Sequence, residues 1–408
     1  MIKLKYIPLA LFSLTLLVSC QAKRLTTNLN KIDSTKINIT FQQKKIFKFN
    51  NGQVSISNDF AGARINSVIQ QNDSTFNLVI APENTPINPS PWYAFKIWSV
   101  NKKRVYINLD YKEAVHRYNP KLLTGSKIWE DVINVKVSND KKAAFFDIQV
   151  SNDTTLVAAQ ELISSGDNYK WEDKLTKLPF VKKQKIGLSI LGKPINVLTI
   201  GKESKKLIVI LSRQHPPEVT GYMAMQEFVE TIISDTKLAK DFRTNYQVLL
   251  IPFINPDGVD EGNWRHNASG VDLNRDWETF LQPETRSVRN YLLNKVVQQN
   301  AKVYFGIDFH STYYDVFYTN QDQPLKPTNI PGFTTSWLDV FSHQLPKSHL
   351  NIKPSPNGGN VSKSWMGRAL GAEALTYEVG DDTPRMLLKL KGKVAAENMM
   401  QLLLELSP

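Results

Sequence analysis

The sequence predicts an N-terminal all-β sandwich followed by an α/β domain with a mixed central sheet flanked by helices. Three observations predict it. Between Ile37 and Val157, apolar and polar residues alternate in short runs such as KINITF, TFNLVIA, RVYINLDY and AAFFDIQV, punctuated by Asn, Asp, Gly and Pro. A period of two belongs to strands with one buried face. Beyond residue 160 the pattern changes to continuous apolar runs, LIVIL and QVLLIPFIN, separated by stretches of helical spacing. Such alternation builds a sheet covered by helices. Finally, 408 residues with 41% hydrophobic and 22% charged side chains are enough for two cores.

In chain order, Lys3 and Lys5 precede an apolar run over residues 6–18, which ends in Leu17-Val18-Ser19-Cys20. The run is too short for a membrane-spanning helix and fits a secretory signal. Its end resembles a bacterial lipobox. The expectation is a lipoprotein signal peptide over 1–19, lipidation of Cys20, and a location in a bacterial cell envelope with a lipid anchor in the membrane. Cys20 is also the sole cysteine, so an internal disulfide and a Cys metal ligand are both excluded. Residues 20–35 are polar and aperiodic, as in a flexible tether.

The sandwich is expected over 36–159, with a loop at Pro82 and Thr85 to Trp92. The α/β domain is expected over 160–408. Its first piece, SGDNYKWEDKLTKL, is compatible with a helix. KIGLSILGKPINVLTIG reads as a hairpin turning at Gly192-Lys193, and LIVIL as a strand buried on both faces. Helices are predicted over Val219–Ile233, Pro283–Val297, Thr335–Leu345 and Pro384–Leu406, and strands at QVLLIPFIN, KVYFGIDF and EALTYEV. The formal charge of +12 comes from scattered Lys and Arg. No basic helix or basic–aromatic array accompanies it, so no nucleic-acid partner is expected.

Polar residues with chemical potential cluster at strand ends. His215 and Glu218 follow LIVIL, where ligands gather in open α/β sheets. An i, i+3 imidazole and carboxylate converge on one point, and a second imidazole would complete a His₂Glu set of zinc type. His310, after KVYFGIDF, is the candidate. His116, His343 and His349 read as surface or packing residues, and His266 is left outside the metal set. A second cluster holds Asn255, Asp257, Arg265, Asp272, Asn274 and Arg275. Guanidinium and amide donors suit a carboxylate, and near a metal one Arg suits a developing oxyanion. Glu378, ending EALTYEV, is placed as a general base.

These residues together resemble the zinc carboxypeptidases of the carboxypeptidase A (M14) superfamily. The matching motifs are HPPE (215–218), NPDG (255–258), Asn263-Trp264-Arg265, GVDLNR (270–275), FHS (309–311) and TYE (376–378). The β region, with PWYAFKI at 91–97, resembles the N-terminal domain of the cytosolic-carboxypeptidase branch. The resemblance implies one Zn²⁺ per chain on His215, Glu218 and His310, with Asp272 supporting His215. It implies that Arg265 polarises the scissile carbonyl, that Asn274 and Arg275 hold the terminal carboxylate, and that Glu378 takes a proton from the metal-activated water. Peptide or protein C-termini are the implied partners. The stretch SPNGGNVSKSWMGRALGAEAL lacks the tyrosine that pancreatic-type relatives carry there. That stretch contains Lys363 and Arg368, and of the two Lys363, by its distance from Glu378, is the preferred candidate for selecting acidic C-terminal residues. Three alternatives stay open: a cell-wall stem-peptide hydrolase, an N-acyl amino acid deacylase of the same zinc type, and an inactive peptide-binding lipoprotein.

Overall fold

The computed structural model describes residues 39–125, 128–320, 327–345, 350–355 and 359–406. The expected signal peptide, the tether through residue 35 with Cys20, and His349 lie outside the described residues.

Eleven strands come first: β1 (Ile46–Phe49), β2 (Val54–Ser57), β3 (Ser67–Asn72), β4 (Thr75–Ile80), β5 (Ala94–Ser99), β6 (Lys103–Tyr111), β7 (Lys121–Leu123), β8 (Trp129–Asp131), β9 (Lys136–Val137), β10 (Ala143–Val150) and β11 (Thr155–Ala158). They form two sheets, ordered β1-β2-β5-β11-β7-β8 and β3-β4-β6-β10-β9. The period of two in the sequence is the cause. In β10, Ala144, Phe146, Ile148 and Val150 are buried while Phe145, Asp147 and Gln149 are exposed. The inward residues of both sheets, among them Ile56, Phe95, Leu78, Ile107 and Ile148, meet in one core.

The chain continues through α1 (Ser165–Leu175), β12 (Val181–Leu188), β13 (Pro194–Ile200), β14 (Lys206–Ser212), α2 (Val219–Ile232), α3 (Lys237–Asn245), β15 (Gln247–Ile251) and α4 (Pro256–Asp260). Then come α5 (Pro283–Gln299), β16 (Lys302–Thr312), β17 (Val316–Asn320), α6 (Phe333–Gln344), β18 (Ile352–Ser355), α7 (Ser362–Leu370), β19 (Glu373–Gly380) and α8 (Arg385–Leu406). One mixed sheet runs β12-β13-β15-β14-β16-β19-β17-β18. Its centre is parallel: β14 pairs with β15 and β16, and β16 pairs with β19.

LIVIL has no polar face because it has two cores to serve. Ile208 and Ile210 pack with Phe228 of α2 and Met399 of α8. Leu207, Val209 and Leu211 pack on the other side with Leu292 of α5 and Met366 of α7. Helices α1, α2, α5, α6 and α8 fall where helical spacing predicts them, with ends shifted by at most three residues. Helices α3 and α7, strand β17 and the edge strand β18 are additions that the periodicity did not reveal. The four are short, and α3 and β18 are largely polar.

Two glycines determine how closely α2 approaches the sheet and α8. A Cβ on Gly221 would lie 2.2 Å from the His310 carbonyl oxygen, and one on Gly392 of α8 would lie 2.7 Å from the Ala224 carbonyl oxygen. With no Cβ at Gly221, the first turn of α2 rests directly on β16 at His310. Thr220 Oγ1 donates to Ser311 Oγ at 2.9 Å, and the Gly221 amide donates to the same oxygen at 2.7 Å.

Candidate active site

The parallel strands β14, β16 and β19 bring three carboxyl ends side by side, and the candidate residues stand there. His310 and Glu378 are directly opposite one another in the β16–β19 ladder. After β14, Arg213 takes a left-handed φ of 58°, uncommon for a non-glycine residue. Its guanidinium holds the turn by donating to the Pro216 carbonyl at 2.9 and 3.1 Å, and it lies 5.1 Å from the Phe253 ring centre. That turn presents His215 and leads into α2 with Glu218 at its entrance.

Three potential ligand atoms converge. His215 Nδ1 lies 2.8 Å from Glu218 Oε1, and His310 Nδ1 lies 2.7 Å from Glu218 Oε2. The two Nδ1 atoms are 3.2 Å apart. All three residues are buried, and their ligand atoms fall within 4.8 Å of one another. The far ring nitrogens are also engaged. His215 Nε2 meets Asp272 Oδ1 at 2.9 Å, and His310 Nε2 meets Asp308 Oδ2 at 2.9 Å. Each carboxylate favours a proton on Nε2 and turns the Nδ1 lone pair inward. Two imidazole nitrogens and a carboxylate thus face one point, where acidic surroundings favour a positive charge, and the set fits Zn²⁺.

The electrostatics agree. Burial opposes charge on His310, but Asp308 and Glu218 outweigh it and raise its pKa well above the ordinary value. Burial likewise opposes ionisation of Glu218 and Asp272, but the neighbouring imidazoles, and for Asp272 also Arg265, hold both below the usual carboxylate range. Glu378 shifts the other way. Burial, then the Glu218 charge, pushes it up to about 7. Its Oε2 has no hydrogen-bond partner among the described residues.

Arg265 is buried and donates from Nε to Asp272 Oδ2 at 2.6 Å. Asp272 therefore joins Arg265 to His215. Asp272 Oδ1 also caps the turn over Leu273–Arg275 by accepting from the Asn274 amide at 2.9 Å. The Ser362 amide donates to Asn274 Oδ1 at 3.0 Å, which orients the carboxamide. Its Nδ2 lies 3.4 Å from His310 Nε2. Because that nitrogen carries its proton toward Asp308, the contact is between two donors, and the amide hydrogens stay available. Arg275 is exposed and uses Nη1 on the Asn274 carbonyl at 2.8 Å.

Asn255 and Asp257 hold local backbone instead of joining the site. Asn255 caps α4, accepting from the Gly258 amide at 2.9 Å and donating to the Gln214 carbonyl at 2.9 Å. Asp257 accepts from Ser189 Oγ and the Leu191 amide, both at 2.8 Å, and so anchors the hairpin turn. Lys363 is buried on α7, and its Nζ donates to Asn320 Oδ1 at 2.9 Å and the Thr319 carbonyl at 3.3 Å. Burial lowers its pKa to about 8.

Residues 169–380 match the Peptidase_M14 family, zinc carboxypeptidase. The chain belongs to the zinc carboxypeptidase family. Cytosolic carboxypeptidase 2 of Danio rerio is 32% identical over 140 residues, covering 32% of this chain and 19% of that protein. Cytosolic carboxypeptidase 6 of Caenorhabditis elegans is 30% identical over 157 residues, covering 36% of this chain and 34% of that protein. The matches thus span about a fifth to a third of those relatives. A metallo-carboxypeptidase from Burkholderia cenocepacia superposes with a TM-score of 0.72 at 18% identity, over 86% of this chain and 98% of that one. One from Pseudomonas aeruginosa, in complex with (2-guanidinoethylmercapto)succinic acid, superposes with a TM-score of 0.70 at 18% identity, over 86% of this chain and 99% of that one. Both carry the same fold. Members of this family are peptide hydrolases that use one zinc ion, and His215, Glu218 and His310 form the set that could hold it.

The relatives overturn one expectation. Relatives such as cytosolic carboxypeptidases 2 and 6 are named as cytosolic proteins, which contradicts the expected lipid-anchored protein of a bacterial envelope. The expected envelope location rested on an apolar run and Cys20, which lie outside the described residues. Among the described residues, no helix is long and apolar enough to cross a membrane.

Within this family member, sequence reasoning missed Asp308. Its Oδ2 accepts from His310, from Gln214 Nε2 at 2.6 Å, and from Ser362 Oγ. The available signal was an acid two residues before a histidine in a buried strand. That spacing puts both side chains on one face. The sequence also contained no sign that the β region reaches the site. Val219 and Trp264, neighbours of Glu218 and Arg265, are buried in the sandwich core.

Proposed function

We propose that this chain removes C-terminal residues from peptides or proteins, with Zn²⁺ on His215, Glu218 and His310. The observation that carries the reading is the convergence of those three ligand atoms beside Glu378, on the neighbouring strand, and Arg265, tied through Asp272 to the first histidine. Zn²⁺ at this position supplies a Lewis acid that polarises a carbonyl and makes water nucleophilic near neutral pH.

The chain's own residues supply the remainder. Glu378, with an unengaged carboxylate oxygen and a pKa raised to about 7, accepts the proton of the attacking water and delivers it to the leaving amine nitrogen. Arg265 donates to the oxygen of the scissile carbonyl as negative charge develops on it. Its attachment to Asp272 fixes its position before substrate arrives. Asn274, through its free amide hydrogens, and Arg275, through the guanidinium nitrogens beyond Nη1, grip the terminal carboxylate and set the register of the bond to be cut. A finer element of the proposal is preference for Glu or Asp at the C-terminus through Lys363, whose ammonium has a third donor beyond the two bonds to β17.

The test is mass-spectrometric profiling of peptides ending in Glu, Lys or Phe, with metal analysis and Glu378→Gln alongside. The expected result is one zinc per chain in both proteins and loss of one residue at a time only with the wild type. Identical trimming by both proteins overturns the assignment of the base. Equal or faster removal of Phe overturns the acidic preference alone.

A further inference from the structure

Arg265 is held in place by a part of the molecule remote in sequence. The segment that carries it, residues 261–266, follows α4 and lies against the sandwich. Arg64 of the sandwich is fully buried and donates to the Gly262 carbonyl, to Asn263 Oδ1 at 2.9 Å and to the Glu261 carbonyl at 3.3 Å. Gly262 fits there because it has no Cβ, which would lie 2.6 Å from the Ala63 carbonyl oxygen. Immediately after this stretch the polarity reverses. Glu83, on the loop after β4 and only 1% exposed, accepts from three consecutive amides. Its Oε2 takes the Trp264 amide at 2.7 Å, and its Oε1 takes those of Arg265 at 3.0 Å and His266 at 2.8 Å. The Trp264 indole donates to the Trp92 carbonyl at 3.1 Å, and His266 Nδ1 meets Asn84 Oδ1 at 2.7 Å.

We propose that Glu83 is a positioning residue for the reaction, setting the backbone from which Arg265 reaches the scissile carbonyl. The inference rests on the reading of Arg265 given above. A carboxylate accepting three amides is a strong and directional restraint. The middle amide belongs to Arg265 itself. Beyond its Cα, Arg265 has one described side-chain bond, to Asp272. The guanidinium is thus placed from two sides: by Glu83 through the main chain and by Asp272 at Nε. Misplacement of a catalytic group by about 1 Å is enough to cost roughly a hundredfold in rate. Neither the metal ligands nor the groups assigned to the terminal carboxylate touch Glu83, so its loss is read in turnover and not in metal content or KM.

The experiment is a double-mutant cycle in the intact chain: Glu83→Gln, Arg265→Ala and both together, with zinc content, kcat and KM measured for each and hydrogen exchange followed at residues 264–266. Glu83→Gln keeps the shape but removes the charge. Expected are faster exchange at those amides, unchanged zinc content, KM within about threefold, and kcat lower by about ten- to a hundredfold. In the Arg265→Ala background the same change has little further effect on kcat, because both act through one group. A merely structural role gives losses that multiply across the cycle, and that result overturns the proposal. So does an unimpaired Glu83→Gln beside an impaired Arg265→Ala. If Arg265→Ala itself keeps wild-type kcat, the reading of Arg265 has failed, and the role of Glu83 falls with it. Should Glu83→Gln not fold, Glu83→Asp runs the same cycle, because it keeps the charge and draws the carboxylate back by one methylene.

Discussion

Gly221→Ala provides a test in which the structure reverses the ordinary sign of a substitution. In an exposed helix, Gly→Ala stabilises by about 1 kcal/mol. Here the new methyl would lie 2.2 Å from the His310 carbonyl oxygen, where ordinary contact begins at 3.4 Å. Relief needs a displacement of about 1.2 Å, the difference between those distances. The helix has little room to move. Thr220 and the Gly221 amide are bonded to Ser311, and Gly392 of α8 packs against the next turn of α2 at Ala224. Forcing a methyl into such a contact costs about 1–3 kcal/mol, which outweighs the helical gain. Glu218 stands at the entrance of the same helix, so the shift also draws its carboxylate away from the two imidazoles. Metal–ligand distances tolerate only about 0.2 Å. The expected outcome is a lower melting temperature in the metal-free protein and weaker zinc binding in competition with a chromophoric chelator. A metal-free Ala variant that melts above wild type and binds zinc equally well refutes the packing argument.

Other perturbations have equally definite signs. Asp308→Asn removes the carboxylate behind His310 Nε2, and zinc affinity should fall by about ten- to a hundredfold in the same chelator competition. An unchanged affinity would show that the contact does not orient the ring. Glu284 is fully buried, and burial raises its pKa from 4.5 to about 7. A raised folded-state value means that its contribution to stability is fully present below about 4.5 and is lost as pH rises through about 7. Across that window the wild type should lose up to about 3 kcal/mol that Glu284→Gln does not lose. Denaturant titrations of both proteins at pH 5 and pH 8 measure the difference, and parallel pH profiles would remove Glu284 as the cause.

Much of the fold was legible because the local pattern and the tertiary environment agree. The alternation in β10 names its inward face, and the unbroken apolar run of β14 announces cores on both sides. The metal set was legible for a related reason. His215 follows one buried strand and His310 and Glu378 lie near the carboxyl ends of two others, and the parallel order β14-β16-β19 then places those ends together. Polar residues in the same motifs were harder to sort. Asn255 and Asp257 look like site residues in sequence because capping and turn anchoring use the same amide and carboxylate chemistry as binding. Only the partner distinguishes them.

What could not be read is the support from a distance. Glu83 is an isolated acid in a loop, and no spacing relates it to Arg265, 182 residues later. Its importance arises from a surface match between two separately patterned regions. The loop after β4 carries a buried acceptor, and the loop past α4 offers three successive donors that would otherwise be left unpaired in a dry interface. The same interface buries Trp264 in the sandwich core and closes the backbone of Gly262 against Ala63. Residues that do chemistry are recognisable by type and by position at strand ends. Residues that hold them are chosen by register between elements, which periodicity leaves undetermined. Asp308 falls between these cases. The period of two places it on the face of His310, yet only the three-dimensional contact with Gln214, Ser362 and the far ring nitrogen makes it part of the site.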